Sequence, residues 1–219
     1  MCSRKTCLIA IVSMTIILLC AYFKSVREGM ANAHQTIVLL GDSVFNNAAF
    51  VGEGKAVFEQ LNELTNGKVV SLAEDGATIS ELYLQLDSIS DDLNRRDTAV
   101  IISAGGNDIL AKKIKSDDAK LEALFRRWMD FLKALRVKLG SANIYVVNIY
   151  FPSNSKYKSY KLSIEKWNAM LSENSSVIGE TYGIIDVNSV MTSAADFVYD
   201  IEPSELGSAK IAEKILISI

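Results

Sequence analysis

The feature that most constrains the fold of this 219-residue chain is a strict alternation of short apolar runs with longer amphipathic stretches. Each run has the length of a strand and is rich in apolar residues, and the first is wholly apolar, which is typical of strands buried on both faces of a parallel sheet. The runs that we interpret as strands are 36–41, 68–73, 98–104, 143–149 and 183–187. The alternation therefore predicts a parallel sheet that helices cover on both faces.

The stretches between and after these runs carry apolar residues at helical spacing. We predict helices over 54–64, 79–93, 117–139, 160–182 and 204–217. In the last of these, Ser204 is the expected N-cap and Gly207 lies in the first turn. Open parallel sheets bind ligands beyond the carboxyl ends of their strands, so functional residues are expected in the loops that follow the strands.

Composition excludes several classes of function. A formal net charge of -3 argues against nucleic acid as a partner, because phosphate binding needs a basic face. All three cysteines lie within the first twenty residues, and His34 is the single histidine. These counts exclude a zinc site built from His and Cys, and we expect neither a metal nor a cofactor.

The N-terminal segment is separate in character from the rest. Residues 7–23 are uninterrupted by charge and would span about 25 Å as a helix, slightly less than a hydrocarbon core. They can be a signal anchor, a signal peptide cleaved after the Ala-x-Ala at 31–33, or a buried helix of the domain. The first two interpretations place the domain outside the cytoplasm or on a membrane. We therefore divide the chain into a segment 1–35 and a domain 36–219.

Four short polar blocks follow the predicted strands or precede the last helix. They are Gly-Asp-Ser at 41–43, Asp-Gly-Ala-Thr at 75–78, Gly-Gly-Asn-Asp at 105–108 and Asp-Ile-Glu-Pro-Ser at 200–204. A serine at the mouth of the sheet lies where backbone N–H groups can stabilise an oxyanion. Each block alone is an ordinary turn, but their order and their positions after successive strands are specific.

Taken together, the blocks resemble those of the SGNH/GDSL hydrolase family, named for a serine, a glycine, an asparagine and a histidine. The resemblance spans 36–217 and implies a three-layer, flavodoxin-like α/β sandwich with a five-stranded parallel sheet. Members of that family are esterases, lipases, thioesterases and carbohydrate deacetylases that work through an acyl-enzyme without a metal. The resemblance implies that Ser43 is the nucleophile, and that Gly76, Asn107 and the N–H of Ser43 form the oxyanion hole.

The fourth block departs from the family pattern, Asp-x-x-His-Pro. Glu202 stands in the histidine position, Tyr199 stands in the aspartate position, and Asp200 is one residue out of step. A subset of the family resembles this chain in carrying Ile-Glu-Pro-Ser here. His34 cannot substitute, because the strand between it and Ser43 separates the two by roughly 20 Å.

Three roles for Glu202 are open from the sequence. It can be the general base if burial raises its pKa, a carboxylate that binds substrate, or an acid that only stabilises a helix start. We also expect Asp42, Asp108 and Asp200 to contact substrate.

The sequence leaves two functions open. One is a serine hydrolase that cleaves an ester or acetyl group from a small-molecule, glycan or lipid substrate, and the other is a binding protein that has lost turnover together with its histidine. The run 156–161 interleaves lysines with aromatic residues. It can contact glycan or lipid headgroups, or it can simply be a solvated helix start.

Overall fold

A computed structural model describes residues 36–174 and 182–219. The predicted anchor or signal segment, 7–23, lies outside the described residues. The central sheet consists of β1 (Thr36–Leu40), β2 (Val69–Ser71), β3 (Thr98–Ile102), β4 (Asn143–Val147) and β5 (Tyr182–Ile185). All neighbouring strands pair in parallel, in the order β2-β1-β3-β4-β5. This is the flavodoxin-like order, and it confirms the predicted fold.

Six α-helices surround the sheet in the described residues. They are α1 (Val57–Leu64), α2 (Leu82–Asp87), α3 (Gly106–Ala111), α4 (Asp118–Lys138), α5 (Lys161–Glu173) and α6 (Glu205–Leu216). The helix predicted over 79–93 is shorter than expected: α2 ends at Asp87 and only a 3-10 turn, Asp91–Leu93, follows. Ser90 between them has extended backbone angles, which interrupts the helix.

Two hydrophobic cores lie on opposite faces of the sheet. Val38 and Leu40 of β1 pack with α4 and α5 in one core, and Ile37 and Leu39 pack with α1 and α6 in the other. Alternate residues of one strand point to opposite faces, so an apolar run such as β1 supplies both cores. This explains why β1 is apolar at consecutive positions.

Two further features lie close to Glu202. The short strands β6 (Phe197–Val198) and β7 (Glu202–Pro203) form an antiparallel hairpin that the sequence did not predict. Ser204 caps α6 as expected, accepting a hydrogen bond from the Gly207 N–H at 3.2 Å.

Across the ranges 36–174 and 182–219, no helix has the length and apolarity needed to cross a membrane.

Candidate active site

Ser43 lies just beyond the carboxyl end of β1, on a backbone that is held from two sides. Gly41 has φ +139°, and a Cβ there would lie 2.5 Å from the carbonyl oxygen of Ser103, so only glycine fits. The buried amide of Gln85 accepts a hydrogen bond from the Gly41 N–H at 2.7 Å and donates one to its carbonyl at 2.8 Å. These two hydrogen bonds hold the backbone of Gly41, two residues before Ser43, in place.

Asp42 joins the loops that follow β1 and β3. Its carboxylate accepts hydrogen bonds from the Ser103 hydroxyl at 2.8 Å, the Val44 N–H at 3.1 Å and the Asn107 amide at 3.4 Å. Burial raises the pKa of Asp42, and the bonds from Ser103 and Val44 oppose that rise. Asp42 lines the same cavity as Ser43.

Asn107 brings the loop after β2 to the same edge. It lies in the first turn of α3, and its amide donates to the Ala77 carbonyl at 3.0 Å. Gly76 precedes that carbonyl, is exposed and has φ +75°. It does not line the cavity that holds Ser43 and Asn107. Asn107 therefore lines the same cavity as Ser43, whereas Gly76 lies in the neighbouring loop.

Glu202, on β7, lies against Ser43. Burial raises the pKa of its carboxyl group, a hydrogen bond from the Ser43 side chain lowers it, and the charges of Asp75 and Asp42 raise it further. Its Oε2 atom is buried and has no hydrogen-bond partner among the described residues. A carboxylate that lines the same cavity as a serine hydroxyl is a candidate general base.

The other two predicted acids lie outside the cavity lining. Asp108 is buried and accepts a hydrogen bond from the Ile79 N–H at 2.9 Å; burial raises its pKa. Asp200 pairs with Lys156 and accepts from the Asn154 amide at 2.5 Å, and these contacts lower its pKa. Both side chains connect loops around the site.

The cavity next to Ser43 is largely apolar. Its empty volume is about 660 Å³, including the mouth that is open to solvent. Asp42, Ser43, Asn107 and Glu202 line its polar end. Six aliphatic residues from α3, the loop after β4, α5 and the Glu202 hairpin form much of the remaining wall, together with three tyrosines: Ile109, Leu110, Ile149, Pro152, Ile164 and Ile201, with Tyr150, Tyr157 and Tyr160.

Tyr150 contributes to the site, although no sequence pattern singled it out. It is buried, lines the cavity and donates a hydrogen bond from its hydroxyl to the Ile201 carbonyl at 2.8 Å. Burial and the nearby charges of Glu202 and Asp42 raise its pKa well above the usual value. Tyr150 thus anchors the residue that precedes Glu202.

Asn47 was also missed, and it anchors the other side of Glu202. The fully buried amide donates to the Pro203 carbonyl at 2.9 Å and to the Ser208 hydroxyl at 2.7 Å, and accepts from the Val57 N–H at 3.0 Å. In the sequence it follows Asn46, and nothing there distinguishes the two.

The fold and the convergence of Ser43, Asn107 and Glu202 at one sheet edge define an α/β protein of the serine hydrolase class. Residues 37–215 match the family model described as GDSL-like Lipase/Acylhydrolase, and the chain belongs to that family. No curated protein matches the chain.

Solved structures share the fold at low sequence identity. The lipase Lip_vut3 from a goat rumen metagenome is 18% identical with a TM-score of 0.63, covering 82% of this chain and 95% of its own. A G-D-S-L family lipolytic protein from Veillonella parvula is 17% identical with a TM-score of 0.65, covering 83% and 96%. Phospholipase A1 from Streptomyces albidoflavus is 16% identical with a TM-score of 0.62, covering 85% and 100%.

Proposed function

We propose that this protein hydrolyses an ester through an acyl-enzyme on Ser43, with Glu202 as the general base in place of histidine. The observation that carries the proposal is the placement of Glu202 against Ser43, with one carboxylate oxygen buried and unpartnered. Of the roles that were open for this residue, that geometry favours the base over a helix-start acid.

In the first half of the reaction, the Ser43 oxygen attacks the ester carbonyl while its proton passes to Glu202. The N–H group of Ser43 and the amide of Asn107 would stabilise the resulting oxyanion. Protonated Glu202 then gives the proton to the departing alcohol, which leaves the acyl group on Ser43. In the second half, water transfers a proton to Glu202 and attacks the acyl carbon. The bond from that carbon to the Ser43 oxygen then breaks, Glu202 returns the proton to that oxygen, and the acid is released.

The cavity favours an apolar acyl chain over an acetyl group. Its aliphatic wall extends from Ser43 along Ile109 and Ile164, and an acetyl group would leave most of that wall in water. Burying each methylene of a longer chain contributes about 0.8 kcal/mol. The structural relatives named as lipases and a phospholipase A1 are consistent with a lipid ester as the substrate class.

The proposed location is extracytoplasmic or membrane-anchored. This proposal rests on the apolar sequence of residues 7–23 and on the basic residues that flank it.

A second candidate function, ligand binding without turnover, is favoured by the contacts of Asn107. Both of its amide hydrogens have acceptors, Ala77 at 3.0 Å and Asp42 at 3.4 Å, so one contact must be released before the amide reaches an oxyanion. The longer contact is the one that an oxyanion would replace.

Covalent labelling separates the two candidates. Purified protein is treated with a fluorophosphonate probe, with Ser43→Ala as the control, and the labelled residue is identified by mass spectrometry. A hydrolase is labelled on Ser43 and turns over a soluble ester. A protein that neither reacts nor turns over esters of any chain length is the binding protein instead.

A further inference from the structure

We propose that four lysines at the cavity mouth dock the domain on an anionic phospholipid surface. These residues, Lys115, Lys156, Lys158 and Lys161, are named the lysine rim. The inference deepens the proposed function, because it states where an ester with an apolar acyl chain is taken from. Its test, however, needs no turnover.

Three of the four lysines lie over aromatic rings, and two of these rings, Tyr157 and Tyr160, belong to the cavity wall. The ammonium of Lys115 is 5.5 Å from the ring centre of Tyr160, and that of Lys156 is 5.0 Å from the ring centre of Tyr157. Lys161 lies 5.6 Å from the ring centre of Phe151. Tyr157 and Tyr160 themselves line the cavity and are only half-buried. Tyrosine and lysine together at an apolar opening are the residues that favour a membrane–water interface.

The lysine rim is basic in a domain that is otherwise acidic. Four of the 23 basic residues and one of the 26 acidic residues precede Thr36, so the chain from there onward carries a formal net charge of -6. Lys156 pairs with Asp200, and Lys161 lies 3.5 Å from Glu165. Within the described ranges, neither Lys115 nor Lys158 forms an ion pair. Two uncompensated charges therefore remain for an anionic partner.

An exposed leucine adjoins this basic surface and favours a lipid partner over another polyanion. Leu162 directly follows Lys161, and its side chain is 46% exposed at the start of α5. The cavity behind the rim is walled by aliphatic residues such as Leu110 and Ile164. A nucleic acid would use the charges alone, whereas a bilayer uses the charges at its surface and the apolar groups below it.

The test measures backbone amide exchange in the full chain on vesicles. Ser43→Ala is used throughout, so that no lipid is consumed. Vesicles of phosphatidylcholine alone are compared with vesicles in which roughly a third of the lipid is phosphatidylglycerol. Segment 151–162 is expected to exchange more slowly on the anionic vesicles than on the neutral ones, because each lysine near an anionic surface strengthens binding to it by roughly fivefold.

Two matched double variants assign the effect to the lysine rim. Lys115→Gln/Lys158→Gln removes the two unpaired lysines of the rim, and Lys55→Gln/Lys214→Gln removes two lysines elsewhere. Any contribution of the N-terminal segment is identical in all the proteins. We expect the rim variant to lose the anionic protection of 151–162 and the control variant to keep it.

Three results would overturn the proposal: equal protection on both kinds of vesicle, equal loss in both double variants, or the same protection by heparin without lipid. The last result would identify a polyanion partner instead. Failure of the proposed hydrolase is a separate observation, namely that the Ser43 protein does not turn over a soluble ester.

Discussion

Glu202 has to satisfy two demands that oppose each other. A general base must be ionised, but burial disfavours the ionised carboxylate and raises its pKa. The hydroxyl of Ser43 is the one neighbour that lowers the pKa, since Asp42 and Asp75 both raise it. The carboxylate is thereby more basic than an ordinary glutamate, which brings it closer to the strength of the histidine that it replaces.

We expect Glu202→Gln to lower kcat by roughly 10²–10⁴ with little change in KM, because the amide keeps the shape and removes the basicity. The same change should raise the melting temperature at neutral pH. A pKa raised by folding means that the protonated form stabilises the fold, and this contribution is lost as the pH rises through the folded pKa. Kinetics and thermal unfolding of one variant measure both effects. An unchanged kcat, with Ser43→Ala inactive, would leave Glu202 a structural role only.

The pH profile provides a second prediction at this scale. Wild-type activity should rise with pH through one ionisation that lies above the ordinary glutamate value. In Glu202→His the midpoint should move toward the imidazole range, and activity should be partial at most. Tyr199, which stands in the aspartate position, is 71% exposed and cannot orient the ring as a carboxylate would. A midpoint that stays in place in Glu202→His would show that another group titrates.

At the scale of elements, the hairpin β6–β7 presents Glu202, and it is held by two side chains from other loops. Tyr150 reaches it from the loop after β4, and Asn47 reaches it from the loop after β1. The turn of the hairpin has positive φ at Tyr199 and Asp200. Aspartate adopts this conformation more readily than most residues, but it is uncommon for a residue as bulky as tyrosine.

We expect Asn47→Ala to lower the free energy of unfolding by about 2–4 kcal/mol, because it leaves buried groups without partners. It should also lower kcat, since Pro203 adjoins Glu202. Asn46→Ala is the matched control: this neighbouring side chain is only partly buried. Urea unfolding and steady-state kinetics measure the two effects. Equal losses in both variants would mean that the buried amide does not hold the hairpin.

Tyr150→Phe keeps the ring and removes the hydrogen bond to Ile201. The expected result is a fall in kcat with KM nearly constant, together with a loss of about 1 kcal/mol of stability. Tyr160→Phe serves as the control, because it changes the same atom in another ring of the cavity wall. If both variants behave alike, Tyr150 contributes to the wall and does not position Glu202.

The sequence predicts an element correctly where that element carries many apolar residues at a regular spacing. The buried strands and the long helix α4 carry many periodic residues, and they were predicted correctly within a few positions. The hairpin β6–β7 has two residues in each strand, too few for any period, and its turn contains no glycine. It forms because tertiary contacts hold it.

At the scale of the whole molecule, the parallel sheet explains why part of the site was predictable. Ser43 and Asn107 each follow a strand, and the carboxyl ends of parallel strands share one edge. Contacts between side chains of different loops leave no comparable pattern in the sequence. Asn47 and Pro203 are 156 positions apart, and only the packing of α1 and α6 on one face brings them together.

The cavity leads to a prediction about chain length. With soluble esters of increasing acyl length, kcat/KM should rise about fourfold for each added methylene until the apolar wall is covered. Leu110→Trp fills part of the cavity from α3 and should move the optimum to shorter chains, with the acetyl ester almost unaffected. Val137→Trp, on an 87% exposed position of α4, is the control for the added ring.

The dependence of kcat/KM on acyl length distinguishes an apolar acyl chain from an acetyl group, and the sequence leaves both open. A flat dependence on chain length in the wild type would mean that the apolar wall does not contact the acyl group, and an acetyl ester would then be the better candidate. An equal loss on acetyl and long-chain esters in Leu110→Trp would mean that the indole disturbs Asn107, three positions earlier in α3, rather than the wall. Only a loss confined to the long chains assigns the cavity to the acyl group, because only those chains extend beyond Ser43 to the α3 wall.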